Sequence, residues 1–369
     1  MYHAINDGSL AVFLAALPVM RVAVSLTLIE IGTILSVGLL ATILMQFVFG
    51  FLADRGYARK SLVAGLVSIA IIDLLFTQAG NYSQVLLFYI LLRAAGGVYH
   101  PVSFSTIFRT MEKRSASLGV QSAFGDASLA FAMVSTGFTA ESFGWQAPFF
   151  AWGSGACAGV LFFILLTRPM HRSTTLNASE PSKHTTTKRF LILQFIGGFL
   201  QCIYAVFSGF MALFLNVNLG LSAGLSALVV ALWLGIGVIA SFNAGRIIEI
   251  LKGEYNTLRI AFGLTALVFI LAFITASMNL WLLTLILLVL SGPPHLLAFP
   301  VLYGAIGATS SRRHLGLAYA TNLSLSLLAG SGISYLTGFL GSIYSLFVIL
   351  PILVFCAVGA SLTTLLLRS

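Results

Sequence analysis

Apolar residues run in stretches of about 20 along the whole chain, separated by short polar clusters. As a helix, a stretch of that length crosses about 30 Å of hydrocarbon, at a rise of roughly 1.5 Å per residue. The pattern predicts twelve spans. They lie near 2–21, 30–53, 60–78, 84–108, 117–140 and 147–167, then near 190–216, 222–246, 258–278, 280–307, 315–340 and 343–367. The first stretch has no basic region before it and no small-residue cleavage site after it, so it is expected to be a retained helix. The one long polar interval, 168–189, is basic and rich in Ser and Thr, and it is read as a flexible cytoplasmic linker. The expected architecture is an all-α membrane protein of twelve transmembrane helices, arranged as two pseudo-symmetric six-helix halves, 1–167 and 190–369.

Composition strengthens this reading. Hydrophobic residues make up 59% of the chain and charged residues 8%, with a mean hydropathy of +1.03. A soluble domain carries about 25% charged residues, and a chain this poor in charge could not cover its surface in water. The net charge of +9 would suit nucleic acid only if the cations shared one face or arm. They sit instead between spans. With a cytoplasmic N-terminus, 17 of the 19 Lys and Arg residues fall on the cytoplasmic side, leaving Arg21 at an outer end and Arg93 inside a span. That asymmetry predicts a multi-pass protein of the plasma membrane with both termini cytoplasmic, and no nucleic-acid partner. Cys157, Cys202 and Cys356 lie in apolar runs without metal-ligand spacing, and they read as buried small residues. No G-x-x-x-x-G-K-[ST] loop occurs, so no nucleotide is expected to be hydrolysed by this chain. No cofactor, metal or enzymatic nucleophile is expected, and the chain is expected to act as a monomer.

The fourth span of each half carries a similar interruption. The first has Gly96-Gly97-Val-Tyr99-His100-Pro101, and the second has Ser291-Gly292-Pro293-Pro294-His295 followed by Pro300. Each leads to a basic turn, Lys113-Arg114 or Arg312-Arg313, and then to Leu-Gly, at Leu118-Gly119 and Leu315-Gly316. Broken helices at matching positions of two repeats point to a binding site at the membrane midplane.

Ionisable residues inside spans cost free energy and mark candidate sites. His3 and Asp7 share one helix face by their i, i+4 spacing, with Asn6 beside them. Arg93, Tyr99 and His100 lie on the fourth span, Gln121 and Asp126 on the fifth, Gln201 and Tyr204 on the seventh, and His295 on the tenth. An Asp whose basic partner leaves as the protein rocks is a plausible proton switch. Asp7 or Asp126 is expected to form one coupling unit with Arg93, with Asp126 favoured for direct contact. Asp73, Glu30 and Glu141 fall near span ends and read as solvated.

Between spans two and three, Gly50, Asp54-Arg55, Gly56 and Arg59-Lys60 resemble the signature loop of the major facilitator superfamily, with the second Gly directly after Arg55. Arg93-x-x-x-Gly97 resembles that superfamily's second motif, whose Arg is associated with proton coupling. A narrower similarity is to its fosmidomycin-resistance group. It rests on His3-x-x-Asn6-Asp7, Ser25-Leu26-Thr27 with Ile31-Gly32, Tyr99-His100-Pro101 and Gly119-x-Gln121-Ser122-x-Phe124. The Gly-Pro pair of many antiporters is absent from span five.

The resemblance implies alternating access around a cavity lined by spans 1, 4, 7 and 10, with proton-coupled efflux of a small organic compound or drug. Asp7, Arg93 and Asp126 would couple protons. His3, Asn6, Tyr99, His100, Gln121, Gln201, Tyr204 and His295 would line the substrate site, and Gly50, Asp54, Arg55, Arg59 and Lys60 would gate it. Two other readings stay open: a proton-coupled symporter for a small organic anion, and a non-transporting receptor or scaffold that keeps the fold.

Overall fold

The computed structural model describes residues 1–110, 114–166, 187–309 and 315–367, and these are helical with no strand among them. Before the central interval lie α1 (Tyr2–Ala23), α2 (Leu28–Leu52), α3 (Ala58–Phe76), α4 (Tyr82–Gly96), α5 (Tyr99–Thr110), α6 (Arg114–Phe143) and α7 (Gln146–Leu166). After it come α8 (Thr187–Leu219), α9 (Ala223–Phe242), α10 (Ala244–Ile250), α11 (Glu254–Ser277), α12 (Trp281–Leu290), α13 (Gly292–Thr309), α14 (Leu315–Ile343) and α15 (Ile349–Thr364). The expected linker lies outside the described residues, except that its last three positions already belong to α8.

Ten helical stretches are long and apolar enough to cross a membrane, counting α4 with α5 and α12 with α13. α3 and α6 are not among them. α3 carries Arg59, Lys60 and Asp73, and α6 is diluted by Ser, Thr and Gly. The expected breaks are present: the fourth span turns at Gly97–Val98 and the tenth at Ser291.

Local chemistry starts several helices. Thr27 and Glu30 form a reciprocal capping box on α2, Asn81 caps α4, and Ser222 caps α9. Glu30 is therefore a cap rather than a merely solvated end. Between α2 and α3 the chain reverses through a π turn, Ala53–Tyr57, in which Gly56 takes φ 85°. That left-handed conformation is costly for any residue with a Cβ, which explains a glycine directly after Arg55.

Helix pairing repeats between the two sets. α1 packs on α6 as α8 packs on α14. α2 packs on α4 as α9 packs on α13, α3 on α7 as α11 on α15, and α1 on α7 as α8 on α15. Across the sets, α2 meets α14 and α6 meets α9, again a symmetric pair. This is the two-fold pseudo-symmetry expected of the repeats. Buried aromatics fill each set: Phe76 stacks on Phe149 at 4.3 Å in the first, and Phe207 on Trp233 at 4.2 Å in the second. Leucines and phenylalanines such as Phe51, Leu165 and Leu282 stay exposed on the rim, where a bilayer supplies the apolar solvent.

The sets approach most closely toward the end carrying the α1–α2 loop. Gly32 lies against Gly338, where a Cβ would come within 3.0 Å of backbone atoms. One turn along, Ser36 and Ser331 share a hydroxyl hydrogen bond of 2.9 Å. At the same end the Glu141 carboxylate accepts from Gly224 N–H at 2.8 Å, so the first set caps the start of α9. Glu141 is thus exposed at its helix end, as expected, and also bound across the seam.

Candidate functional site

On α1, one helical turn separates His3 from Asp7, and the two side chains meet: His3 Nε2 lies 2.9 Å from Asp7 Oδ2. His3 Nδ1 bonds the Gln121 carbonyl at 2.8 Å, and Asn6 Nδ2 donates to Asp7 Oδ1 at 2.8 Å. A carbonyl only accepts, so Nδ1 carries a hydrogen. One further proton is then shared between Nε2 and the Asp7 carboxyl. Gly125 on α6 makes this contact possible, because a Cβ there would lie 2.6 Å from His3 Nε2 and 3.0 Å from Asp7 Oδ2.

Around the pair, Tyr99 stacks on the His3 ring at 4.6 Å and His100 meets its edge at 5.3 Å. Gln121 Nε2 donates to Ser103 Oγ at 2.6 Å and to Tyr99 Oη at 3.2 Å, tying α6 to α5. Asp126 projects beside the pair and interacts electrostatically with both Asp7 and His3.

These groups form one wall of a cavity of about 230 Å³ between the two sets. His3, Asn6, Asp7, Arg93, His100 and Asp126 line it from the first set, and Gln201 and Tyr204 from the second. Arg93 Nε donates to Thr42 Oγ1 at 3.1 Å. Among the described residues Arg93 and Asp126 form no ion pair, so their expected direct contact is corrected. Arg93 satisfies itself on α2 and the cavity instead.

Three further expectations are revised. Tyr99 and Gln121 do not line the cavity; they sit behind His3 and position it. His295 is fully buried away from the cavity, stacked on Trp233 at 5.3 Å. Its face of α13 is drawn onto α9, where Gly292 packs flush against the Trp233 backbone; Phe299, one turn on, takes the lining position. Asp73 is not a solvated end: it is fully buried where α3 meets α1 and α7, beside Ser9, and Gly153 makes room for it.

In the expected gate, Arg55 lies over the Phe51 ring at 3.7 Å and Lys60 over the Tyr57 ring at 5.5 Å. Arg59 Nη2 donates to the Ile164 carbonyl at 3.2 Å, linking the turn to the end of α7. Gly50 faces Pro101 on α5. Asp54 stands on the turn, and its side chain lies outside the described residues.

The cavity also contains residues that sequence reasoning missed: Thr42, Tyr303, Asn322 and Ser326. Polar residues inside apolar runs were the available signal, but hydroxyls and amides are common in helix contacts and do not stand out. His3, Asp7 and His100 place three ligand atoms within 4.8 Å of one another, a spacing that would admit a cation. Here His3 and Asp7 are hydrogen-bonded to each other, with the His100 ring at the edge of His3, and the donor set is read as a proton-sharing pair.

A helical membrane bundle with two-fold repeated packing, broken helices and a charged central cavity defines the class of a transporter rather than an enzyme. The chain matches the Major Facilitator Superfamily over residues 2–292 and belongs to it. Its fold is similar to the crystal structure of a bacterial homolog of the human lysosomal transporter Spinster, in an inward-facing and occupied conformation. That likeness has a TM-score of 0.79 at 16% identity and covers 99% of this chain and 95% of that one. It is also similar to the nucleoside transporter NupG, with a TM-score of 0.68 at 14% identity, covering 99% and 96%. No curated protein matches the sequence. The chain is a secondary transporter of the alternating-access type.

Proposed function

We propose that this protein is a proton-coupled transporter that exports a small organic compound, as the fosmidomycin-resistance resemblance suggests. The observation that carries the proposal is the His3–Asp7 pair, which holds one exchangeable proton on the cavity wall with Asp126 beside it. Residues 1–167 and 190–369 act as two bodies joined by 168–189. α3 and α6 count as spans, because in the helix pairing they occupy the places that α11 and α14 hold in the second set, which gives twelve. The 50–60 turn acts as the gate. The protein works as a monomer whose partners are the bilayer, the substrate and protons, with no nucleic acid among them.

The basic asymmetry supports a plasma-membrane protein with both termini in the cytoplasm. A Glu180→Cys variant in a background lacking the native cysteines should resist an impermeant thiol reagent in intact cells. Labelling from outside would reverse the topology.

Coupling is tested in proteoliposomes carrying a lumenal pH dye, with small organic anions and drugs added outside. Exchange of entering substrate for protons raises lumenal pH. Substrate uptake without any pH change overturns the coupling. The second reading, symport of a small organic anion, is favoured by Arg93, which faces the cavity without an ion pair among the described residues. Symport lowers lumenal pH, so the sign of the signal separates the two.

A further inference from the structure

The two walls of the cavity differ in kind. Among the described residues, the Asp, His and Arg side chains that line it all come from the first set. After residue 190, every Asp, Glu, Lys and Arg lies within 246–259, at 312–313 or at Arg368, and those within 246–259 do not line the cavity. The opposite wall, from α8, α13 and α14, is made of amides, hydroxyls and aromatic rings set among leucines.

That wall is polar and incompletely satisfied. Asn322 Nδ2 donates to Gln194 Oε1 at 3.1 Å, while Gln194 Nε2 and Ser326 Oγ are buried without partners among the described residues. Gly197 leaves the room that these groups occupy: a Cβ there would lie 2.6 Å from Asn322 Nδ2 and 2.7 Å from Ser326 Oγ. A buried donor or acceptor left unpaired is costly, so such groups await water or a ligand that bonds to them. Next to them, Tyr204 and Phe299 meet at 5.7 Å with planes 86° apart, a corner that offers one ring face and one ring edge. A charged group placed there would be desolvated, with the nearest charges among the described residues on the facing wall.

Resting on the reading of this cavity as the transport site, we infer that the second set selects substrates with an uncharged, hydrogen-bonding ring portion. That portion seats in the Tyr204–Phe299 corner, with its hydroxyl or amide edge on Gln201, Asn322 and Ser326. Any charge the substrate carries sits at its other end, toward Arg93 and Asp126.

The test uses three probes on one ring scaffold: 4-hydroxybenzamide, with no charge; 4-hydroxybenzoate, with one charged end; and terephthalate, with both ends charged. Binding to the purified full chain is read as protection of a Ser208→Cys cavity position, in the background lacking the native cysteines, from a maleimide. Protection by the first two at concentrations at least tenfold below terephthalate supports the inference. Equal protection by terephthalate, or no protection by any probe, overturns it. The shape-matched variants Gln201→Met and Asn322→Leu should weaken protection by 4-hydroxybenzamide at least tenfold. If either folded variant binds it within twofold of the parent, the assignment of the polar edge is wrong. Proton movement is scored separately. Its loss with the probe ranking intact would overturn the coupling reading and leave this inference standing.

Discussion

Replacing Asp7 by Asn is expected to reduce substrate-driven proton movement at least tenfold, equivalent to about 1.4 kcal/mol or more, while substrate-for-substrate exchange persists. The amide keeps the size and much of the hydrogen bonding of the carboxylate, so Asn6 and the His3 ring stay close to their places. What is lost is the carboxyl that shares a proton with His3 Nε2 across 2.9 Å. Exchange returns the carrier loaded in both directions and needs no net proton transfer, so it separates binding from coupling. The comparison variant is Asp126→Asn, which removes the second carboxyl on the same wall. If both variants move protons like the parent, neither carboxyl carries the coupled proton and the assignment of the coupling site is wrong.

The second large effect is expected at a residue with no functional group. Gly125→Ala should destabilise the protein by about 1–3 kcal/mol, as overpacking of a filled interior does, and should reduce proton-coupled transport by an order of magnitude. The new methyl falls 2.6 Å from His3 Nε2, so either α1 moves off α6 or the imidazole leaves Asp7. Pairing the change with His3→Ala removes the clash without restoring the proton site. The double variant should therefore regain thermal stability in detergent and still fail to move protons. A Gly125→Ala protein that transports like the parent would show that the close α1–α6 approach is not needed.

Much of this architecture is legible in the sequence, because a bilayer imposes simple requirements. Spans must be long and apolar, cations collect between them, and Gly97 and Ser291-Gly292 mark the places where helices turn. The His3–Asp7 pair also follows from sequence, since i, i+4 spacing on a helix determines a contact. Facing is what the sequence does not reveal. Every position of a fully apolar helix looks equally suited to the interior, so His295 looked like cavity lining when it stacks under Trp233. Asp73 looked solvated because chain position says nothing of what α7 lays over it. Gly125 was invisible because a missing side chain leaves no chemical mark, and Asn322 because one amide in a long apolar run is commonplace.

The meeting of Gly32 with Gly338 and of Ser36 with Ser331 bears on how easily this molecule changes shape. Where backbone meets backbone and hydroxyl meets hydroxyl, little greasy surface is hidden, so parting those two contacts exposes little that water dislikes. The serines trade one partner for another of equal quality. Such contacts hold geometry without holding much free energy, so a bound solute or a single proton, worth a few kilocalories, does not work against them when it tips the balance between closed and parted forms.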